Sequence, residues 1–143
     1  MNYCLPEIPK VYWIKKIIYK CKSCGYEFEQ LVSNSDDIVK YKENDGTDIK
    51  WLPTYGKGGY LDLMCKLIPN HKLNDQITMK IAKEFNSKLS NFIEPSSNGK
   101  EYTFDENLSL CGKCHSKELQ YIGECILTNP DISWLKISCD LLK

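Results

Sequence analysis

Three observations predict an α+β fold. Two C-x-x-C turns stand far apart, strand-like segments flank both of them, and one strongly amphipathic helical stretch lies between. The expected architecture is a single domain over residues 1–143. Two cysteine-bearing β-hairpins, from residues 11–33 and 108–127, form a discontinuous small sheet. Residues 34–107 form an inserted, mainly helical subdomain, and residues 128–143 pack back on the core.

Each element has a local reason. Residues 11–19, Val-Tyr-Trp-Ile-Lys-Lys-Ile-Ile-Tyr, are rich in β-branched and aromatic side chains and read as a strand. The strand runs into Cys21-Lys22-Ser23-Cys24-Gly25, where glycine supplies the positive φ of a tight turn. Residues 26–32 then alternate as a returning strand should, and Ser33-Asn34-Ser35-Asp36-Asp37 punctuates the chain. The second turn, Cys111-Gly112-Lys113-Cys114, has Leu108-Ser109-Leu110 before it and a strand over 119–127 after it. Neither hairpin alone buries enough apolar area to stand by itself.

Between the turns, residues 73–93 are the clearest helix. Ile77, Ile81, Phe85, Leu89, Phe92 and Ile93 recur at spacings of three and four, with Asn70 or Asn74 as the expected cap and residues 94–99 as the stop. By length and pattern residues 60–68 fit a helix or a buried strand; they are read as a second, shorter helix because Gly58-Gly59 precedes them and Pro69-Asn70 ends them. The last segment, 132–142, carries Trp134, Leu135, Ile137 and Leu141 and is expected to return to the core as strand or short helix.

Composition narrows the function. The chain has 19 acidic and 19 basic residues, and every basic residue is lysine. Without arginine it lacks the usual planar reader of guanine edges and phosphate, and a pI near 6.7 offers no strong global attraction to nucleic acid. No apolar run approaches the length needed to cross a bilayer, and residues 1–20 lack the pattern of a secretory signal. A cytoplasmic location is therefore expected, with the eight cysteines held as thiols or metal ligands.

The cysteine spacing carries the chemistry. Zinc takes four thiolates at about 2.3 Å, and cysteines with two residues between them reach adjacent corners of a tetrahedron. Cys21, Cys24, Cys111 and Cys114 together would complete that shell. Residues 19–28, Tyr-Lys-Cys-Lys-Ser-Cys-Gly-Tyr-Glu-Phe, resemble the first knuckle of the zinc-ribbon superfamily. Residues 111–119 are similar to the C-P-x-C-G-S-x-x-L second knuckle of small bacterial zinc-ribbon proteins, with Gly112 replacing proline and His115 replacing glycine. The resemblance implies one structural Zn2+ on those four cysteines and no specific activity, since such ribbons serve many processes. Rubredoxin-like iron, a c-type haem on Cys111-Gly112-Lys113-Cys114-His115 and a thioredoxin-like dithiol are the rival readings of the same residues. Cys4, Cys65, Cys125 and Cys139 have no such spacing and read as small buried hydrophobes.

Other candidates are weaker. His71 and His115 lack partner sets for base catalysis, and no nucleophile or paired-carboxylate pattern is evident, so no catalytic residues are expected. Residues 51–60, Trp-Leu-Pro-Thr-Tyr-Gly-Lys-Gly-Gly-Tyr, lack the order of a phosphate loop. They read either as a turn whose aromatics close the core or as an exposed docking loop. Lysines 10, 15, 16, 20 and 22 gather before an acidic stretch from Glu27 to Asp48, which reads as two solvated faces or as a bipolar surface. The expected function is that of a non-catalytic zinc protein working through another protein, as inhibitor, immunity protein or adaptor. The alternative is a nucleic-acid-binding zinc ribbon of transcription or translation.

Overall fold

The computed structural model describes residues 2–32, 37–105 and 109–143. In chain order the elements are β1 (Tyr3–Cys4), β2 (Trp13–Cys21), β3 (Glu27–Val32), β4 (Ile38–Glu43), β5 (Ile49–Pro53), α1 (Tyr60–Leu67), α2 (Met79–Leu89), β6 (Tyr102–Phe104), β7 (Leu119–Thr128) and β8 (Ile137–Ser138). A 3-10 turn at Cys139–Leu142 follows. The strands form three antiparallel sheets, ordered β3-β2-β7, β5-β4-β6 and β1-β8. The α+β class stands.

The cysteine-bearing segments do come together. β2 is the shared central strand, with β3 returning on one side (Tyr19 opposite Phe28) and β7 lying on the other (Cys21 opposite Leu119). The β2–β7 ladder shifts register next to Ile18 and Tyr19, which face Gly123 and Tyr121 and leave Ile122 as the extra residue of a bulge. Of the punctuating segment only Asp37 is described; residues 33–36, and Leu108 before the second turn, lie outside the described residues.

The insertion differs from expectation. Besides its two helices it holds a sheet that the sequence reading did not foresee: β4, β5 and β6 make three strands against which both helices pack. The strands escaped notice because β4 buries two charged side chains, Lys40 and Glu43, where alternation should have placed apolar ones. Lys40 is satisfied by Asp105 at 3.2 Å and by the carbonyl of Leu31 at 2.7 Å, so it fastens the insertion to the end of β3.

α1 matches its prediction. Its entry is Gly58, whose φ of +79° excludes most side chains and whose added Cβ would lie 2.5 Å from Leu142. Asp62 accepts from the Gly58 N–H at 2.8 Å and pairs with Lys66 at 3.1 Å. α2 is shorter than predicted at both ends. Neither Asn70 nor Asn74 caps it; Thr78 does, accepting from the N–H of Ile81 at 3.2 Å. Beyond Leu89 the apolar periodicity continues through Phe92 and Ile93, but Ile93 has left the helix to bridge Ile137.

The main core lies in the insertion. Val39, Tyr41 and Leu52 of the sheet meet Leu63, Met64, Phe85 and Leu89 of the helices, and Leu135 and Ile137 from the last segment complete the cluster. That segment is stitched in by backbone bonds, Trp51 N–H to Ser133 O at 2.9 Å and Leu135 N–H to Trp51 O at 2.8 Å. Ile14, Ile38 and Trp51 form a second cluster joining β2 to the insertion. Trp51 is thus core, while Tyr55 is 63% exposed, which splits the two readings of residues 51–60.

Cys4 and Cys139 correct another expectation. They form a disulfide with Cα atoms 5.2 Å apart, because β1 pairs with β8 and sets Cys4 opposite Ile137. No sequence spacing reveals a pairing made by two distant strands. Cys125 is exposed and Cys65 half-buried, so neither is a fully buried hydrophobe. Among the described residues no helix is long and apolar enough to cross a membrane.

Candidate metal centre

Two turns of matching geometry build the site. In the first, Cys21 ends β2, its N–H bonds to Tyr26 O at 2.8 Å, and the N–H of Gly25 returns to Cys21 O at 2.8 Å. In the second, Cys111 N–H bonds to Ser116 O at 3.0 Å and His115 N–H returns to Cys111 O at 2.9 Å. Gly25 has φ +77° and His115 φ +59°, so His115 holds the left-handed position that glycine holds in the first turn. Its place is set by the backbone, and its imidazole is not one of the close ligand atoms.

The turns face each other. Lys22 N–H donates to Glu118 O at 2.8 Å, and the hydroxyls of Ser23 and Ser116 lie 3.0 Å apart. The Sγ atoms of Cys21, Cys24, Cys111 and Cys114 all fall within 4.8 Å of one another. The Cys21–Cys114 and Cys24–Cys111 sulfur pairs are each 3.5 Å apart. A tetrahedron with metal–sulfur bonds of about 2.3 Å has edges of about 3.8 Å, so the four residues fit one metal ion with little adjustment. Cys21 and Cys111 are buried while Cys24 and Cys114 are exposed.

Backbone N–H groups prepare the sulfurs for negative charge. The N–H of Cys24 lies 3.4 Å from Cys21 Sγ, and that of Lys113 lies 3.4 Å from Cys111 Sγ. The Cys21 thiol is accordingly lowered to about 6, the Cys24 backbone being the largest cause. Cys114 is pushed up to about 12: the Ser116 backbone favours its thiolate, but the Cys21 sulfur, burial and the other two sulfurs outweigh it. Four thiols crowded together cannot all ionise unless a cation joins them. The arrangement could hold one metal ion.

The surroundings are aromatic and charge-balanced. Tyr26 stacks on Phe28 at 5.9 Å between centroids, Phe28 meets Tyr19 at 5.8 Å, and the Lys113 ammonium sits 5.3 Å from the Tyr26 ring. Two of the five lysines that gather in the sequence are held in ion pairs. Lys15 pairs with Glu124 at 3.4 Å, Lys16 with Glu29 at 3.7 Å, and Lys20 stands opposite Glu27. His71 is buried beyond α1 and outside the sulfur cluster. Among the described residues no second group of His, Cys or carboxylate side chains has the geometry of a metal site. The disulfide and the insertion's sheet are what sequence reasoning missed; only the strong β-formers at 38–41 and 49–52 hinted at the latter. Comparison with protein-family models, with curated proteins and with solved structures returns no match.

Proposed function

We propose that this is a non-catalytic, zinc-binding protein of zinc-ribbon type that acts by binding another protein, as an inhibitor, immunity protein or adaptor. The observation that carries the reading is the set of four mutually close thiols. Zinc bound by four thiolates has no open position, cannot activate water and serves the fold alone. Function then falls to the surface, where Tyr121, Ile122 and Ile126 are about half-exposed on one strand and formal charge is balanced. Such a surface suits a protein partner better than a polyanion.

The second reading, a nucleic-acid-binding ribbon, draws on the Tyr26–Phe28–Tyr19 row with Lys113 above it, a stacking platform in kind. The pairing of Lys15 and Lys16 with carboxylates weighs against it. Elemental analysis of the purified protein should give about one zinc per chain, and Cys111→Ser should lose the metal and lower the Tm by roughly 10 °C or more. Affinity purification from the native host should recover one protein in stoichiometric amount after nuclease treatment. Salt-sensitive retention on DNA or RNA, with no protein recovered, would replace the first reading by the second.

A further inference from the structure

Residues 2–11 run over the surface as a strap pinned at two points. One is Tyr12, whose N–H bonds to Asn129 Oδ1 at 2.9 Å and whose hydroxyl bonds to Pro130 O at 2.8 Å. The other is the Cys4–Cys139 disulfide. Between them the strap crosses the glycine turn that opens α1. Glu7 N–H donates to Lys57 O at 2.9 Å. A Cβ added at Gly58 would stand 3.2 Å from Pro6 Cα, and one at Gly56 would stand 3.6 Å from Glu7 Cβ. The strap thus covers the glycine half of residues 51–60, the stretch that reads as core turn or docking loop.

Without the disulfide the two sides of this contact are held unequally. β1 and β8 pair over two residues each, and Cys139 N–H adds a bond to Asn2 O at 3.0 Å. So short a ladder is marginal by itself. Within residues 2–11 Pro6 alone is buried, and neither Pro6 nor Pro9 has an N–H to donate. The opposite side is anchored. Ile137 and Ser138 are buried, Leu141 and Leu142 pack on the main core, and Ser138 N–H bonds to Phe92 O at 2.6 Å.

We infer that the Cys4–Cys139 disulfide is a redox-operated latch. Its reduction frees residues 2–11 to swing away about Tyr12 and uncovers the turn at residues 56–59, while β8 and the 3-10 turn stay in place. Both cysteines are half-buried, which leaves them within reach of a dithiol reductant. One thiolate of the dithiol attacks a sulfur of the pair, breaking the S–S bond and forming a mixed disulfide. The second thiolate of the dithiol then displaces the attached cysteine. Two electrons pass to the pair, leaving two cysteine thiols and an oxidised dithiol. Use of the uncovered turn to control a protein partner rests on the function proposed above; the latch itself does not.

The test uses the metal-loaded full chain, oxidised or treated with dithiothreitol, with zinc content measured in both states. On reduction the amides of Glu7 and Cys139 should exchange about tenfold faster or more, while those of Ile14, Trp51 and Leu52 stay protected. Trypsin should cut after the exposed Lys10 about tenfold faster, and reoxidation should restore both readouts. Cys4→Ser should behave as the reduced chain with no reductant present, which separates the latch from any action of dithiothreitol on the metal. Protection at Glu7 that is indifferent to both reduction and Cys4→Ser would overturn the inference, because the strap would then hold without its bond. So would exchange that rises equally at Glu7 and at Trp51, the mark of a bond that supports the whole fold. Every readout is taken with no partner present, so failure of the latch leaves the proposed function standing.

Discussion

Glu43 shows how a single side chain can mislead a sequence reading and steady a fold. It sits in a run of acids that suggests a solvated face, yet it is 4% exposed. Its carboxyl is held below the usual range, chiefly by hydrogen bonding to Ser96 and further by the Asn98 amide at 3.3 Å. A carboxylate with a lowered folded pKa stabilises the protein above its unfolded pKa, and that contribution fades as pH falls through the folded value. Glu43→Gln should therefore lower the Tm near neutrality, and the gap from the unsubstituted protein should close as pH drops from about 7 to about 3. Thermal melts across that range check it; a gap independent of pH would mean the carboxylate's charge is irrelevant. His115 is a residue-scale counterpart, a non-glycine side chain in the left-handed region beside a ligand cysteine. The difference from glycine at that position was legible in the sequence; that the backbone would keep its turn regardless was not.

At the scale of elements, legibility followed locality. β2, β3 and β7 were readable because alternation and the cysteine turns lie within each segment. α1 was readable from its glycine entry and proline exit. α2 was overextended because apolar spacing records which residues reach the core and not whether their backbone is helical; Ile77 and Ile93 both reach it from outside the helix. The true start is fixed by Thr78, so Thr78→Ala should cost about 1 kcal/mol, while Asn74→Ala should cost nearly nothing. Urea titrations of the two variants decide it, and the reverse order would move the helix start. β4 and β6 were unreadable for a different reason. β6 has three residues, and β4 hides buried charges that only the folded neighbours Leu31, Asp105, Ser96 and Asn98 can satisfy.

At the scale of the whole molecule, two closures are nested. The ends of residues 21–114 meet where the four sulfurs cluster, and that loop lies inside the one closed by Cys4 and Cys139, 135 residues apart in sequence. The inner closure was foreseen from its spacing; the outer one was invisible because a single cysteine in each of two short strands carries no spacing at all. A cross-link over so long a loop removes much of the unfolded chain's freedom, which on the entropic account is worth about 2–5 kcal/mol. Cys139→Ser, or reduction under conditions that keep the metal bound, should lower the urea midpoint accordingly while zinc stoichiometry stays unchanged. Equal midpoints would show that β1 and β8 hold without the bond. Disulfides persist in oxidising compartments, so the state of this pair in material taken from the host bears directly on the expected cytoplasmic location.

The separation of the two cysteine turns also sets a schedule. A ribosome adding about 5–20 residues per second releases Cys21 and Cys24 roughly 5–18 s before Cys111 and Cys114. During that interval β2 has no β7 to lie against. Nor can the insertion finish first, since its core awaits Leu135 and Ile137. Both the full β3-β2-β7 sheet and the completed core of the insertion thus wait on residues beyond 110. The first two thiols spend those seconds without the partners that later hold them.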